Sequence, residues 1–534
     1  MKNLFKLYVV IGLIGFVSCT GNFEEINTNP NNPETVPSAP ILTWVQFYMS
    51  ISYYGDVWYN FNEGSSMAGQ ITKIAYIDET RYAYRASTVN NMFNNPYVMI
   101  RNLNRILLNE GGPEGNPNMT AIALILKSFV YHVTTDQLGD IPYSEAFQAE
   151  TERIYRPKYD SQESIYRDLL NELKKASEMI VDVNTPVAQR VSGADIIYGG
   201  NMTRWKKFAN SLRLRMAVRM SSVDEAGART VINEILGNPS KYPLLESNAD
   251  NARFKFPGDA GQREPLSSSQ LTRVDYVIAD AIVYVLDELS DPRLPVYAQK
   301  TQSGGIYKGF IPGAKANGAL ADFSKIGAFF SENVAGFTYY FRYAEVEFLK
   351  AEIFERGLYS GNAEAAYNAG ITASIQEYTA VSPGSTTSEA DIAPYLALPK
   401  VAYTNPDLPN LNFAGNDPDH NCDIPAGIVN NECVNAIWKA NPRLQKIAYQ
   451  KWLAIFQQGM EAWAEVRRTD IPVIGPAPGR SASLANHNRS PFRYPYSFNE
   501  QNSVNVDNAR AAAVGIVDLY WGKQLWWDKR TGVQ

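Results

Sequence analysis

The sequence predicts a mainly α-helical protein of stacked helix pairs interrupted by long loop-rich insertions. Three observations predict it. First, between Leu444 and Pro472 apolar residues fall on two helical faces at once. Leu444, Ile447, Ala448, Trp452, Ile455, Ala462, Trp463 and Val466 recur at three- and four-residue steps, while Tyr449, Leu453, Phe456 and Met460 cover a second face. A helix apolar on two sides is packed on two sides, so one central helix is expected here, stopped by Pro472, with Lys446, Lys451, Glu461 and Glu465 as a narrow wet strip. Second, helical period recurs along most of the chain. Third, periodicity fades between about 238–338 and 384–441, where Pro, Gly and Ser rise.

The elements follow in order. Met1 to Cys19 carries Lys2 and Lys6, then an apolar run from Leu7 to Val17 of roughly ten residues, too short for a bilayer that needs about 20. Small Ser18 precedes Cys19, the pattern of a bacterial lipoprotein signal peptide over 1–18, with Phe16 where Leu is usual. Cys19 would then carry acyl chains, each buried CH₂ contributing about 0.8 kcal/mol of anchoring. Residues 19–40, rich in Asn, Pro and Thr, read as a tether, and 41–534 as a single α-rich domain.

Within that body, helices are expected at Ala39 to Ser52, Val57 to Ile74, Asn91 to Leu108, Thr120 to Gln137, Met202 to Met220 and Asp224 to Leu236. Gly139 is a C-terminal cap candidate, and Asp160 with Glu163 resembles a capping box opening a helix through Ile180. Residues 75–87, polar and aromatic without helical period, read as an extended loop. A helix near Asp275 to Leu289 breaks the first insertion. Helices return at Arg342 to Arg356 and Ala363 to Tyr378, where Ala351, Phe354, Ala363, Tyr367 and Gly370 occupy small and large positions of the tetratricopeptide pattern. Glu347 and Lys350 stand where Trp and Leu would, so the repeat is degenerate.

Composition narrows function. A net charge of -6 gives no electrostatic support for nucleic-acid binding. Three Cys and three His exclude Cys/His-rich zinc modules. The bias is aromatic, with 32 Tyr, 23 Phe and 9 Trp; most must be core, yet flat amphipathic rings also suit binding surfaces. Cys422 and Cys433 leave two states open, a disulfide closing a loop of about a dozen residues or two free thiols. Asp417, Asp419, Asn421 and Asp423 alternate like calcium ligands, but the glycine at position six and the glutamate at position twelve are missing, so no metal or cofactor is expected. His132 sits in an apolar helix and reads as a satisfied core residue. No nucleotide, zinc-protease or serine-hydrolase motif occurs, and GSSMAG at Gly64 to Gly69 has the wrong spacing for a nucleophile elbow.

Five phrases in order, LGDIPYSEAF (Leu138 to Phe147), DPRLPVY (Asp291 to Tyr297), YAEVEFLKAEIFERG (Tyr343 to Gly357), QKWLAIFQQGMEAWAEVRRTDIP (Gln450 to Pro472) and RYPYSFNEQN (Arg493 to Asn502), together resemble the SusD/RagB family of outer-membrane lipoproteins. The closing LYWGKQLWWDKR resembles one branch of it. The resemblance spans essentially the whole chain. It implies a SusD-like fold of tetratricopeptide-like helix pairs, display on the outer membrane, and no enzymatic activity. It also implies capture of a glycan or other nutrient and capping of a SusC-like TonB-dependent transporter. The family's ligand patch tends to involve the loop after the first helices and the long central insertion, which puts Tyr76, Arg81, Tyr82, Tyr84, Tyr307 and Phe310 forward as ligand contacts. The chemistry fits: a ring covers a sugar's C–H face, and polar side chains satisfy its hydroxyls. A surface glycoside hydrolase, needing two carboxylates close together, and a ligand-free partner of the transporter are the alternatives.

Overall fold

The computed structural model describes residues 36–181, 191, 193–272, 275–314, 318–379, 387–409, 436–474, 489–497, 504–516 and 520–531. Cys19, Cys422, Cys433 and the Asp417–Asp423 cluster lie outside them. The longer helices are α1 (Ser38–Ser52), α2 (Ala86–Glu110), α3 (Pro117–Leu138), α4 (Gln162–Met179), α5 (Met202–Met220), α6 (Glu225–Leu236), α7 (Asp280–Glu288), α8 (Tyr343–Glu355), α9 (Ala363–Thr379), α10 (Pro442–Ala454) and α11 (Gly459–Thr469). Sequential neighbours pack on one another from α1 through α6; α8 packs on α9, and α10 lies against both. In the α8–α9 pair, a Cβ on Gly370 would fall 2.8 Å from the Phe348 ring, so glycine is what lets the two helices close.

α3 shows how local chemistry sets an element. Asn116 accepts hydrogen bonds from the N–H groups of Asn118 and Met119, Pro117 fills the first turn, and Gly139 ends the helix at φ +79°. Nearly every residue between is buried, as expected for a helix packed on several sides. His132 is wholly buried there, and burial pushes its pKa down to about 4, so the ring is neutral.

Three two-stranded antiparallel ribbons join the helices: β1 (Ile71–Lys73) with β5 (Tyr276–Ile278), β2 (Ile141–Pro142) with β3 (Tyr159–Asp160), and β4 (Ala252–Lys255) with β6 (Phe337–Phe341). One continuous apolar cluster runs from Ile41 to Trp527. A small satellite of Val277, Phe310 and Ala314 sits beneath the central insertion. Among the described residues no helix is long and apolar enough to cross a membrane.

Five expectations are corrected. The central helix is two, α10 and α11, separated at Ile455–Gln458. A Cβ on Gly459 would stand 2.1 Å from the Asn60 carbonyl oxygen, so the chain turns to let another segment cross. The carbonyls freed by the break are taken up: Arg342 donates to Ala454 (3.1 Å) and Phe456 (2.9 Å), and Asn60 to Gln457 (2.6 Å). The wet strip is dry. Lys446, Lys451, Glu461 and Glu465 are all buried, three of them inside an ion-pair network. Glu465 meets Arg468 at 2.8 Å, Lys451 at 3.1 Å and Arg219 at 3.1 Å, and Arg219 also pairs with Glu461 and Asp136. Arg215 grips Glu345 by two hydrogen bonds of 2.7 and 2.6 Å, and Arg468 grips Glu352 by two of 2.7 Å. Burial alone would raise the Glu465 pKa, but Arg468, Lys451 and Arg219 hold it well below the usual carboxylate range.

The expected helix over Val57 to Ile74 is a π-helical segment, Val57–Ser65, followed by a turn and β1, because the GSSMAG stretch bends at Gly69 (φ +69°). The cap of α4 is Ser161, not Asp160; Asp160 instead accepts from the Ser144 N–H at 2.7 Å. Asp275 to Leu289 divides into β5 and α7.

Candidate functional site

Trp58 organises the site. Asp56 accepts hydrogen bonds from the N–H groups of Trp58 (2.6 Å) and Tyr59 (3.1 Å), which fixes the start of the π-helical segment and puts the half-buried Trp58 on its first turn. Burial pushes the Asp56 pKa up to about 6 against those two bonds. β1 then pairs with β5, Lys73 opposite Tyr276, and the Lys73 Nζ lies 5.7 Å from the Trp58 ring centroid. Lys73 is buried and its Nζ lies 3.1 Å from Glu79. The other oxygen of Glu79 pairs with Arg85, whose guanidinium rests 5.1 Å from the Trp58 ring centroid. Beneath them Glu63 is buried, and burial pushes its pKa up to about 8, opposed by a hydrogen bond with Tyr494 and by Arg85 and Lys73.

Trp58 and Arg85 stand between two hollows. One, of about 690 Å³, is lined by Trp58, Ile74, Tyr76, Asp78, Asp275 and Leu320 among others. The second, of about 430 Å³, is lined by Tyr48, Asp56, Thr88, Asn91 and Asn95 among others. The first offers aromatic and aliphatic walls with carboxylates on its rim; the second is richer in hydroxyls and amides. Trp44, exposed on α1, stacks on Tyr48 at 4.7 Å and extends the aromatic surface outward. A ligand with an apolar face and a hydroxylated rim is the complement of such a surface.

The two loop regions named from the sequence do meet. Arg81 donates to the Gly313 carbonyl at 3.2 Å, and Ala279 bridges Phe310. Of the six residues put forward, Tyr76 lines the larger hollow and is 75% exposed, with its backbone in the left-handed region at φ +53°. Arg81 staples the loops. Tyr82 is 5% exposed and packs edge-on against Trp521 at 4.9 Å. Phe310 is 4% exposed and packs edge-on against Phe323 at 4.9 Å. Tyr84 and Tyr307 are partly buried against the main core. Trp58, Lys73, Arg85, Asp275 and Leu320 were not singled out by sequence. The one available signal was Asp56 before a tryptophan, a cap that sets the ring on the first turn.

Among the described residues no group of His, Cys, Asp and Glu could hold a metal ion. A family model described as starch-binding, associating with outer membrane, matches residues 30–497. The chain belongs to this SusD-like family. Solved structures agree on the fold. A chitin-binding protein superposes with a TM-score of 0.73 at 23% identity, covering 92% of this chain and 100% of that one. A chitin-binding SusD homolog from Flavobacterium johnsoniae gives 0.71 at 23% identity, covering 92% and 98%. A SusD homolog from Bacteroides fragilis gives 0.69 at 24%, covering 92% and 99%. No match is found among curated proteins. The SusD-like assignment accounts for the helical body, with its inserted ribbons and loops, that holds the Trp58 surface.

Proposed function

We propose that this SusD-like protein captures a glycan at the cell surface and delivers it to a SusC-like TonB-dependent outer-membrane transporter, which it caps. The observation that carries the reading is the Trp58–Arg85 wall with a hollow on each side, Tyr76 at one lip and Tyr48 at the other. A sugar unit stacks on the indole, and its hydroxyls reach Asp78, Asp275 and Arg85 on one side or Asn91 and Asn95 on the other. The family description and the chitin-binding relatives support a polysaccharide over a peptide. Lipid on Cys19 holds the protein to the outer membrane, facing outward. The protein acts by binding, not by chemistry, and ligand trapped between it and the transporter favours the closed state through differential affinity.

Isothermal titration against starch and chitin oligosaccharides tests the reading. Saturable binding that Trp58→Ala weakens markedly, without product, supports it. Release of reducing ends would transfer the cleft to a hydrolase, and silence across the panel would leave a ligand-free transporter partner. Co-purification of the native lipoprotein with an outer-membrane transporter tests the partner, and mass measurement of the mature N-terminus tests the lipid.

A further inference from the structure

Three of the family-like phrases converge on a place remote in sequence from Trp58. Gly139 and Asp140 come from LGDIPYSEAF, Arg493 from RYPYSFNEQN, and Lys523 and Trp526 from the closing LYWGKQLWWDKR. Together with the first residues of α4 they line a pocket of about 190 Å³. Arg493 is 1% exposed. Its Nε donates to the Tyr494 carbonyl at 3.2 Å, and its guanidinium lies 4.1 Å from the Tyr496 ring centroid. Its Nη2 has no hydrogen-bond partner among the described residues.

Two carboxylates, Asp140 and Glu163, and two cations, Arg493 and Lys523, line the pocket, and both carboxylates are paired with cations other than Arg493. Lys523 is paired with Asp140 at 3.1 Å. Asp140 also accepts the Gln162 N–H at 3.0 Å. Glu163 is paired with Arg167 at 2.8 Å. Arg493 has no carboxylate partner among the described residues, and it lines the pocket together with the first residues of the 18-residue helix α4, the positive end of that helix. A buried guanidinium with an unmade donor is costly unless something fills it. Gly139 keeps the way in open: at φ +79° it carries no side chain, and a Cβ there would crowd Leu525 at 3.2 Å and approach Arg493 Nη1 at 3.9 Å.

We propose that this pocket binds one small oxyanion of the phosphate or sulfate kind, free or borne on a sugar, with Arg493 Nη2 as principal donor, Lys523 as a second, and the α4 N-terminus as its electrostatic seat. The site is independent of the Trp58 cleft and of what that cleft binds.

The test is isothermal titration of the full-length protein with sodium phosphate, sodium sulfate and glucose 6-sulfate, against sodium chloride at matched ionic strength. Saturable heats beyond chloride are expected, and they weaken roughly tenfold in Arg493→Lys, which keeps the charge but loses the planar fork. Lys523 is 44% exposed, so Lys523→Ala folds and weakens binding by about threefold. Tighter binding of the sugar sulfate than of inorganic sulfate assigns the oxyanion to a substituted glycan, and the reverse assigns it to a free ion. No saturable heat with any of the three, or a midpoint unmoved by Lys523→Ala, overturns the proposal even if Arg493→Lys does not fold.

Discussion

Two arginines in this protein sit at the same distance from an indole and do different things. Arg468 lies 5.1 Å from the Trp438 centroid and Arg85 lies 5.1 Å from that of Trp58. Arg468 and Trp438 are each 1% exposed, and Arg468 also meets Glu352 and Glu465. The Arg85 side chain is 35% exposed and its indole borders both hollows. The difference is what closes over the pair. At Arg468, α8 and α11 bring carboxylates from both sides and leave no room for a ligand. At Arg85, one carboxylate, Glu79, pairs with the guanidinium, and the half-buried indole still borders both hollows. The same chemical pair is therefore structural in one place and available in the other.

The largest expected effect breaks the sealed side. Glu465→Ala leaves Lys451 and Arg468 short of a buried partner and is expected to lower stability by about 3–5 kcal/mol, read by urea denaturation. Arg85→Ala, on the half-open side, is expected to lower it by no more than about 1 kcal/mol. Equal losses would sink the contrast.

Next in size are two residues beneath the open side. Tyr82→Ala removes a buried ring packed on Trp521 and is expected to cost about 3 kcal/mol in stability. Glu63 gives a pH signature. Its pKa is raised from 4.5 to about 8 on folding. The folded state therefore binds the proton more tightly than the unfolded one, so this group's contribution is present below 4.5 and lost as pH rises toward 8. Glu63→Gln mimics the protonated form and is expected to stabilise the protein at pH 9 by on the order of 3 kcal/mol, with little change at pH 4. A thermal-melt series across that range, run on both proteins, checks the sign.

Much of this fold is legible in the sequence because helices bury stripes, and stripes are local. The runs that became α3, α5, α8 and α9 were readable within a few residues of their observed ends. Burial of Lys451 and Glu465 was not, because their partners Glu345, Arg219 and Arg468 arrive partly from other helices, and periodicity alone counts a charge as wet. The two loops named for the candidate site, residues 75–87 and the central insertion, do meet. Which rings face outward depends on the β1–β5 register and on the Arg81–Gly313 contact, both set by residues far apart in the chain. Trp58 was hidden for the same reason, inside a stretch that reads as one long helix.

The contrast also predicts affinities. Trp58→Ala is expected to weaken oligosaccharide binding by about 2 kcal/mol, roughly thirtyfold, with little loss of stability. Trp438→Ala is expected to do the opposite, lowering stability by about 3 kcal/mol and leaving affinity intact in whatever folds. Calorimetry and denaturation on the same two variants check both halves.

The smallest effect separates the two roles within one residue. Tyr76 holds φ +53°, a conformation that L side chains adopt at a cost of about 1 kcal/mol or more. It is also the most exposed of the six aromatic and basic residues put forward from the sequence. Tyr76→Gly relieves the strain and removes the ring together, so stability should stay within about 1 kcal/mol of the parent or rise slightly, while affinity for the oligosaccharide falls by about fivefold. A marked loss of stability with unchanged affinity would instead make Tyr76 a structural strut and leave Trp58 alone at that lip.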